Sequence, residues 1–439
     1  MAFIDKVIDS LPEVKPPTQK RLPFTTKLKW TAVVLSLYFL LSLIPLYGLG
    51  VNALQRFQFL STILGASFGS IISLGIGPIV TASIVLQLLK GSGLVNFDLT
   101  SDVGKKRFQG IQKLLAVFFI ILEGAIFVLL GGLAPEVGIS PIILIIQLTI
   151  GGLAIMFMDE VVTKYGFGSG ISLFIAAGVS QQIFLGLFNP LTSDLGIPIG
   201  AFPAIVYGFS QGLSDVVTQN LAAIIATIII FFAVVYLQAM KVEIPLSFGR
   251  VSGHGIRWPL NFLYANVIPI ILVSALLANL QLFSGLLGGD PNSLAWLRGE
   301  NLMQLALIGG VTFTVIWHSL VYLLIYAVGA MIFSIFWVQT SGLDAESQAN
   351  QMVSSGLQVP GFRRDKRVLE RMLKRYIGPL TVMGGLTIGL LAGSADLLGA
   401  IGSGTGILLT VMIIYRLYED IAKQHMYDMN PAMRKFMSY

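Results

Sequence analysis

The chain has 439 residues, of which 55% are hydrophobic and only 11% are charged, and its mean hydropathy is +0.82. Because an ordinary soluble domain carries about 25% charged residues, this composition excludes a soluble globular domain and indicates a polytopic membrane protein. The net charge is +6 and there is no Cys, which excludes disulfides, thiolate nucleophiles and cysteine metal ligands.

Residues 1–29 are predicted to form a cytoplasmic N-terminal arm. Asp5, Asp9 and Glu13 interrupt any apolar stretch that a signal peptide would need, and Pro16 and Pro17 follow them. We therefore expect the arm to be retained in the mature protein.

Ten apolar stretches follow the arm, each near the ~20 residues that a helix needs to cross the hydrocarbon layer. They predict an all-α membrane protein with ten transmembrane helices, divided into an N-terminal half (30–190), an external loop (191–215), a C-terminal half (216–424) with cytoplasmic loops at 241–257 and 340–375, and a cytoplasmic tail (425–439). The stretches are Trp30–Leu49, Phe57–Leu89 (interrupted), Leu114–Leu133, Ile139–Met158, Ile171–Phe188, Val216–Met240, Trp258–Leu280, Val311–Gln339, Tyr376–Ala395 and Leu397–Tyr415.

The positive charges support this topology. With the N-terminus on the cytoplasmic side, 26 of the 28 Lys and Arg residues fall on the cytoplasmic face, and only Arg56 and Arg298 fall on the other. This distribution follows the positive-inside rule. The seven basic residues between Arg363 and Arg375 are denser than topology requires, so we expect a phosphate-rich cytoplasmic partner there.

The second stretch is longer than one crossing and is broken by Gly65, Gly69, Gly75, Gly77 and Pro78. One interpretation is a short re-entrant plug helix at about residues 52–70, followed by a spanning helix. The alternative is one long, tilted and kinked helix.

The second and seventh stretches each carry Pro followed by Ile near their start, at Pro78-Ile79 and Pro269-Ile270. They correspond if the chain consists of two halves of five helices. Because five is odd, the halves would be inverted relative to each other, an arrangement typical of proteins that open a path at the repeat interface.

Within the predicted spans only Glu123 and His318 are ionisable. Ion-coupled transporters need intramembrane carboxylates or bases, so this supply argues against the main rival function, an ion-coupled secondary transporter with inverted repeats. It also argues against an intramembrane enzyme, and we predict no catalytic residue, metal or cofactor. His318 is interpreted as structural. Burying the carboxyl group of Glu123 costs more free energy, so we expect Glu123 to have a functional role or to face a partner.

Two Gly-rich stretches, residues 166–170 and 402–406, each lead into an apolar helix. Neither contains the Lys that a phosphate-binding loop requires. We interpret both as close helix packing or as a backbone bend at the membrane surface.

The chain resembles the SecY family, in its archaeal and eukaryotic branch, over essentially its whole length. The strings that carry the resemblance are Leu11-Pro12-Glu13-Val14, Gly75-Ile76-Gly77-Pro78-Ile79-Val80-Thr81-Ala82-Ser83, Lys164-Tyr165-Gly166-Phe167-Gly168-Ser169-Gly170-Ile171 and Gly402-Ser403-Gly404-Thr405-Gly406-Ile407-Leu408-Leu409-Thr410. The resemblance implies the channel-forming subunit of a protein translocase, with an hourglass-shaped pore between two inverted halves and the plug beneath its waist.

The resemblance also implies the site residues. The waist would be closed by a ring of apolar side chains, which can exclude ions and still part around a polypeptide; its members would be Ile76, Val80, Ile171, Ile175, Ile268, Ile271 and Leu409. A lateral gate between the second and third and the seventh and eighth segments would carry a polar cluster of Thr81, Glu123 and Asn279. The family often has Gln at the position of Glu123.

The partners implied by the resemblance are a SecE-type (gamma) subunit, a small SecG-type (beta) subunit, the ribosome, a nascent polypeptide with its signal sequence, and the lipid bilayer. The residues that would dock the ribosome are Arg250, Arg257, Arg363, Arg364, Lys366 and Arg367. Short loops and the absence of Cys favour an archaeal plasma membrane over an endoplasmic reticulum membrane.

Overall fold

The computed structural model describes residues 11–19, 22–50, 69–91, 94–95, 102–129, 132–193, 196–248, 255–286, 297, 299, 301–354, 357–358 and 365–429. This part of the chain is helical except for one small sheet. Its first five helices are α1 (Phe24–Ser42), α2 (Gly77–Gly91), α3 (Asp102–Leu129), α4 (Pro141–Tyr165) and α5 (Gly170–Phe188). Its next eight are α6 (Ala201–Gln211), α7 (Ser214–Ala239), α8 (Ile268–Leu286), α9 (Leu302–Ile308), α10 (Phe313–Thr340), α11 (Ala345–Ser354), α12 (Lys366–Leu397) and α13 (Gly404–Met429).

Each of the ten predicted stretches overlaps one of these helices. Seven helices in the described part are long and apolar enough to cross a membrane, namely α1, α3, α4, α5, α7, α10 and α12, and shorter apolar runs lie in α2 and α8. An apolar helical membrane protein is thus confirmed, while the count of ten crossings stays a prediction.

Several predicted boundaries are wrong. The seventh stretch was expected to begin at Trp258, but residues 258–261 belong to a β-strand and the helix begins at Ile268. Trp258 and Leu260 are apolar because they pack into a small core beneath the sheet. The tenth stretch was expected to begin at Leu397, but a turn separates that residue from α13.

The chain forms two compact units, residues 1–182 with 413–439 (unit 1) and residues 183–412 (unit 2). It therefore passes from unit 1 to unit 2 inside α5 and returns inside α13.

Close packing in each unit depends on glycine. In unit 1, a Cβ on Gly151 of α4 would lie 1.9 Å from the carbonyl oxygen of Ile71. In unit 2, a Cβ on Gly389 of α12 would lie 2.5 Å from the carbonyl oxygen of Tyr326 in α10. Small residues let membrane helices approach closely, so these contacts explain why both helices tolerate so many glycines.

Large apolar side chains are exposed along α7. Ile225, Ile229, Phe232 and Tyr236 are between 53% and 70% exposed. A continuous exposed apolar face of this kind requires an apolar environment, as lipid provides.

The sheet lies in unit 2 and has the strand order β2-β1-β3, with β1 at Lys241–Phe248, β2 at Gly255–Asn261 and β3 at Leu357–Gln358. All pairs are antiparallel, and Ile244 is opposite Trp258. Ile244 is 1% exposed and packs in one cluster with Val338 of α10, Met352 of α11 and Leu373 of α12. We call this assembly the sheet subdomain.

Candidate functional site

The predicted ring residues of unit 1 lie at the starts of two helices. Ile76 is 2% exposed and occupies the last turn before α2, and Val80 follows one turn later and is half-buried. The backbone N–H of Val80 donates to the carbonyl oxygen of Ile76 over 3.0 Å, so both residues belong to one helical turn. Ile171 and Ile175 are one turn apart in α5, and Ile175 is 1% exposed.

The predicted ring residues of unit 2 also lie near helix starts. Ile268 is the first residue of α8, and Ile271 follows in the same turn; both are half-buried. Leu409 lies in α13 and is 3% exposed. Branched apolar side chains thus lie at or next to the first turns of α2, α5 and α8, while their common role in a ring stays a prediction.

Two members of the predicted polar cluster meet in unit 1. A side-chain hydrogen bond joins Thr81 of α2 to Glu123 of α3. The Thr81 hydroxyl carries one hydrogen, and the carbonyl oxygen of Gly77, 2.9 Å away, competes with Glu123 for it. The third predicted member, Asn279, lies in α8 with its side chain outside the described residues.

A second polar contact joins α2 and α3, and the sequence did not indicate it. The Gln112 side-chain amide donates to the Ser83 hydroxyl over 2.6 Å. Both residues are common and polar, so nothing in the sequence distinguishes them from other surface side chains.

Most of the predicted plug, at residues 52–70, lies outside the described residues. Its last two residues are described, and they form no helix: the Leu46 N–H donates to the Gly69 carbonyl over 2.8 Å, and Ser70 forms a β-bridge with Pro45. These bonds hold the connection to α2 against the end of α1.

Three of the predicted docking residues are described, and all three belong to unit 2. Arg257 forms an exposed ion pair of 3.0 Å with Glu243 across β1 and β2. Lys366 pairs with Glu346 over 2.9 Å, and Arg367 is exposed in the first turn of α12. Arg250, Arg363 and Arg364 lie outside the described residues.

The sheet subdomain connects the two basic loops, which are far apart in the sequence. The Tyr264 hydroxyl donates to the Leu343 carbonyl over 2.7 Å, which ties the end of β2 to the α10–α11 connection. Burial, together with the nearby Asp344 carboxylate, raises the pKa of Tyr264 to about 12. The tyrosine therefore stays neutral and hydrogen-bonded at physiological pH.

The N-terminal arm is docked on unit 1. Lys113 donates to the Pro12 carbonyl over 2.6 Å, Lys164 pairs with Glu13 over 2.7 Å, and Tyr165 donates to the Lys15 carbonyl over 2.8 Å. A cavity of about 390 Å³ lies beside these contacts and is lined by both basic and acidic side chains. The arm motif that contributed to the family resemblance is thus explained by docking contacts.

Comparison with known proteins gives a consistent result. The family model described as SecY matches residues 70–418 of the chain. The chain is 45% identical to protein translocase subunit SecY of Methanothermobacter thermautotrophicus, over 97% of this chain and 96% of that protein.

Solved structures of high similarity belong to the same family as these sequence matches. One is a SecY structure that addresses how the plug domain stabilises the closed state of the translocation channel and maintains a membrane seal; it has 39% identity, a TM-score of 0.81, and covers 97% of this chain and 98% of that one. Another is Sec61 in the canine ribosome–channel complex from the endoplasmic reticulum, with 37% identity, a TM-score of 0.80 and the same coverage.

Proposed function

The chain belongs to the SecY family, and from this membership we propose that it is the central, pore-forming subunit of a protein-conducting channel. It passes unfolded secretory polypeptides across the membrane and releases apolar segments sideways into lipid. The observation that carries the proposal is the similarity to a translocase subunit over nearly the whole of both chains.

The mechanism is passive and involves no bond chemistry. A nascent chain enters from the cytoplasmic side, its apolar signal helix inserts at the lateral gate, the plug moves, and the ring side chains part. A ring of branched apolar side chains suits this task because it dewets when empty, which blocks ions, and makes no sequence-specific bonds to the substrate. Directional force is supplied by translation or by another partner.

The proposed gate and ring comprise the residues that the family motifs indicate. Thr81, Glu123 and Asn279 form the polar cluster of the gate, and the seven apolar residues that the resemblance implies form the ring. The hydrogen bond between Thr81 and Glu123 supports the first assignment, and the burial of Ile76, Ile175 and Leu409 supports the second.

The proposed partners are a SecE-type subunit, a small SecG-type subunit and the ribosome. The basic residues of the sheet subdomain support ribosome docking, because RNA phosphate attracts clustered Lys and Arg. Sec61, at 37% identity, is described in a complex with the ribosome. We place both termini in the cytoplasm and favour an archaeal plasma membrane, on the charge distribution and on the similarity to an archaeal SecY.

Site-specific crosslinking tests this function. A photoreactive residue is placed at position 76 or 409 in the complete channel complex, and at position 229 as a control, because Ile229 is 58% exposed on the apolar face of α7. A stalled nascent chain with a signal sequence should form adducts at 76 and 409 and none at 229. Absence of adducts at 76 and 409, together with solute uptake driven by an ion gradient in reconstituted vesicles, would establish the rival transporter instead.

A further inference from the structure

The turn between α4 and α5 is held by side chains from two other places in unit 1. The Phe167 N–H donates to the Thr31 hydroxyl of α1 over 3.1 Å. The Ile171 N–H donates to Asp159 Oδ1 of α4 over 2.9 Å, and the Gly170 N–H lies near the same carboxylate. The start of α5 is therefore fixed to α1 and to α4.

The turn between α12 and α13 is held in the same way in unit 2. The Ile401 N–H donates to the Thr227 hydroxyl of α7 over 2.9 Å. The Gly404 N–H and the Thr405 N–H donate to Asp396 Oδ1 of α12, over 2.6 and 3.3 Å. The start of α13 is therefore fixed to α7 and to α12.

The two turns share a Gly-Ser-Gly sequence, at residues 168–170 and 402–404. The first glycine has a positive φ in both, +69° at Gly168 and +88° at Gly402, which other L-residues rarely adopt. The last glycine is the first residue of its helix in both. A Cβ on Gly170 would lie 2.5 Å from Asp159 Cα, and one on Gly404 would lie 2.3 Å from the Ala395 carbonyl carbon.

The match goes beyond ordinary helix capping. In an ordinary N-cap the acceptor comes from the residue just before the helix; here one Thr and one Asp come from the first and fourth helices of each predicted half. The acceptors pair with equivalent backbone positions. Each Asp accepts from the second residue of the helix that follows it, Ile171 in α5 and Thr405 in α13, and each Thr accepts from the residue three before that helix begins. Because the same residue types accept from equivalent backbone positions in both units, we attribute these hydrogen bonds to the internal repeat of the fold.

In unit 2 the hydrogen-bond network continues to α8. The Tyr322 hydroxyl donates to Asp396 Oδ2 over 2.8 Å, and the rings of Tyr322 and Tyr326 are 4.9 Å apart. The Tyr326 hydroxyl is 3.2 Å from the hydroxyl of Ser274, which lies in α8 one turn after Ile271. Through this network the carboxylate also acts on the helix that carries Ile271.

We propose that Thr31, Asp159, Thr227 and Asp396 are positioning residues, which hold α5 and α13 so that the ring side chains they carry stay in the closed arrangement. The inference rests on the proposed function, because it presumes that Ile171, Ile175 and Leu409 belong to the ring. Loss of one acceptor frees the first turn of a ring helix, and the resting channel then admits ions more often.

The test measures resting ion conductance of the complete, purified channel complex in planar bilayers. Asp159→Ala and Asp396→Ala should each raise the resting open probability about fivefold, the factor that corresponds to ~1 kcal/mol for a lost cap. Asp159→Asn should stay near the parent, because an amide oxygen accepts in the same place and Asn caps helices as well as Asp does. Asp396→Asn keeps one acceptor for the N–H groups of α13 but places an amide N–H group opposite the Tyr322 hydroxyl, so it should leak less than Asp396→Ala without matching the parent.

Asp344→Ala is the matched control, since Asp344 accepts from the Ser347 N–H over 3.1 Å at the start of α11, which carries no ring residue. It should leave the resting conductance unchanged. If an Asp→Ala channel fails to accumulate, Thr31→Val and Thr227→Val remove the other acceptor at nearly constant volume and should raise the conductance in the same direction.

Each outcome decides the proposal. A folded Ala or Val variant with parental conductance overturns it, and so does an Asn variant that leaks as much as its Ala counterpart. The double variant Ile76→Gly with Ile271→Gly distinguishes failure of the positioning role from failure of the ring assignment. If this double variant leaks and the acceptor variants do not, only the positioning role is rejected. If the double variant does not leak, the ring assignment is rejected.

Discussion

Glu123 is an ionisable residue in the C-terminal part of α3, a helix apolar enough to cross a membrane, and it lies midway along the predicted span Leu114–Leu133. Placing a charged side chain at such a depth costs about 3 kcal/mol for Asp, Lys or Arg. The hydrogen bond to Thr81 offsets part of the cost, and it joins the two helices that the family resemblance assigns to one side of the lateral gate. We therefore expect Glu123 to affect how readily the proposed gate opens.

Glu123→Gln and Thr81→Val should shift gate opening in opposite directions. A neutral amide costs less than a carboxylate in an apolar interior, so Glu123→Gln favours the closed gate. Thr81→Val leaves the carboxyl without its hydroxyl partner and favours the open gate, by about two- to tenfold for one hydrogen bond. Translocation of a substrate with a weakly apolar signal should fall in the first variant and rise in the second.

The double variant is the control for this pair. With Gln at position 123, the effect of Thr81→Val should shrink, because the partner whose desolvation drives it has become neutral. Equal effects in both backgrounds, at unchanged levels of folded protein, would show that the two residues act independently and would contradict the assignment.

The contacts of some residues could be predicted from the sequence, whereas those of others could not. Thr81 and Glu123 were predicted to lie together because family motifs carry them, and they do share a hydrogen bond; their roles stay predictions. Asp159 and Asp396 were not recognised, because their partners are backbone N–H groups that leave no mark in a side-chain pattern. The two Gly-rich stretches were the signal, and they were interpreted as close helix packing or as a backbone bend at the membrane surface.

At the scale of secondary structure, long apolar runs were located well and the sheet was missed. Pro245 and Pro259 argue against strands. In addition, the apolar Trp258 and Leu260 look in the sequence like the start of the apolar stretch that begins near Val267. The strands form because antiparallel pairing places Ile244 and Leu260 on a core shared with three helices. That core depends on residues distant in sequence, which local patterns do not contain.

The sheet subdomain gives the basic loops a common support, so charge reversal there should weaken ribosome binding without unfolding the protein. Arg367→Glu, and the double variant Arg363→Glu with Arg364→Glu, should lower affinity measured by co-sedimentation at several salt concentrations. The slope of log affinity against log salt should become shallower by about 0.7–0.9 for each phosphate that the variant no longer neutralises.

Lys29→Glu is the matched control, because Lys29 is an exposed basic residue on the same predicted face but in α1 of unit 1. It makes the same change in net charge and should leave both the affinity and the salt slope near the parent values. Equal losses of affinity in Lys29→Glu and Arg367→Glu would indicate general electrostatic attraction, and no loss in Arg367→Glu or the double variant would reject this docking surface.

For the whole molecule, the distribution of charge and the motifs were informative because both extend over the entire chain. Nearly all Lys and Arg residues fall on one predicted face, which fixes a topology without any knowledge of tertiary packing. The two compact units divide inside α5 and α13, whereas the predicted halves divide in the loop after α5. A helix that begins in one unit and ends in the other cannot be recognised from hydropathy, because its apolar run is continuous.

The resting barrier to ions should depend on the side chains of the proposed ring. Ile76→Gly with Ile271→Gly removes two branched side chains from the proposed ring, so water and ions enter a constriction that was dry. Resting conductance of the complete complex in planar bilayers should rise severalfold, and deletion of residues 52–67 should raise it as well because the plug no longer covers the ring.

The control for the ring uses the neighbouring isoleucines of the same two helices. Ile79 is 5% exposed and Ile270 is fully buried, so Ile79→Gly with Ile270→Gly removes equal volume from the packed cores and costs at least as much stability. It should lower the unfolding temperature and leave the resting conductance unchanged, because neither side chain belongs to the ring. A leak of equal size in both double variants would mean that general loosening of the helices, and not the ring, sets the barrier.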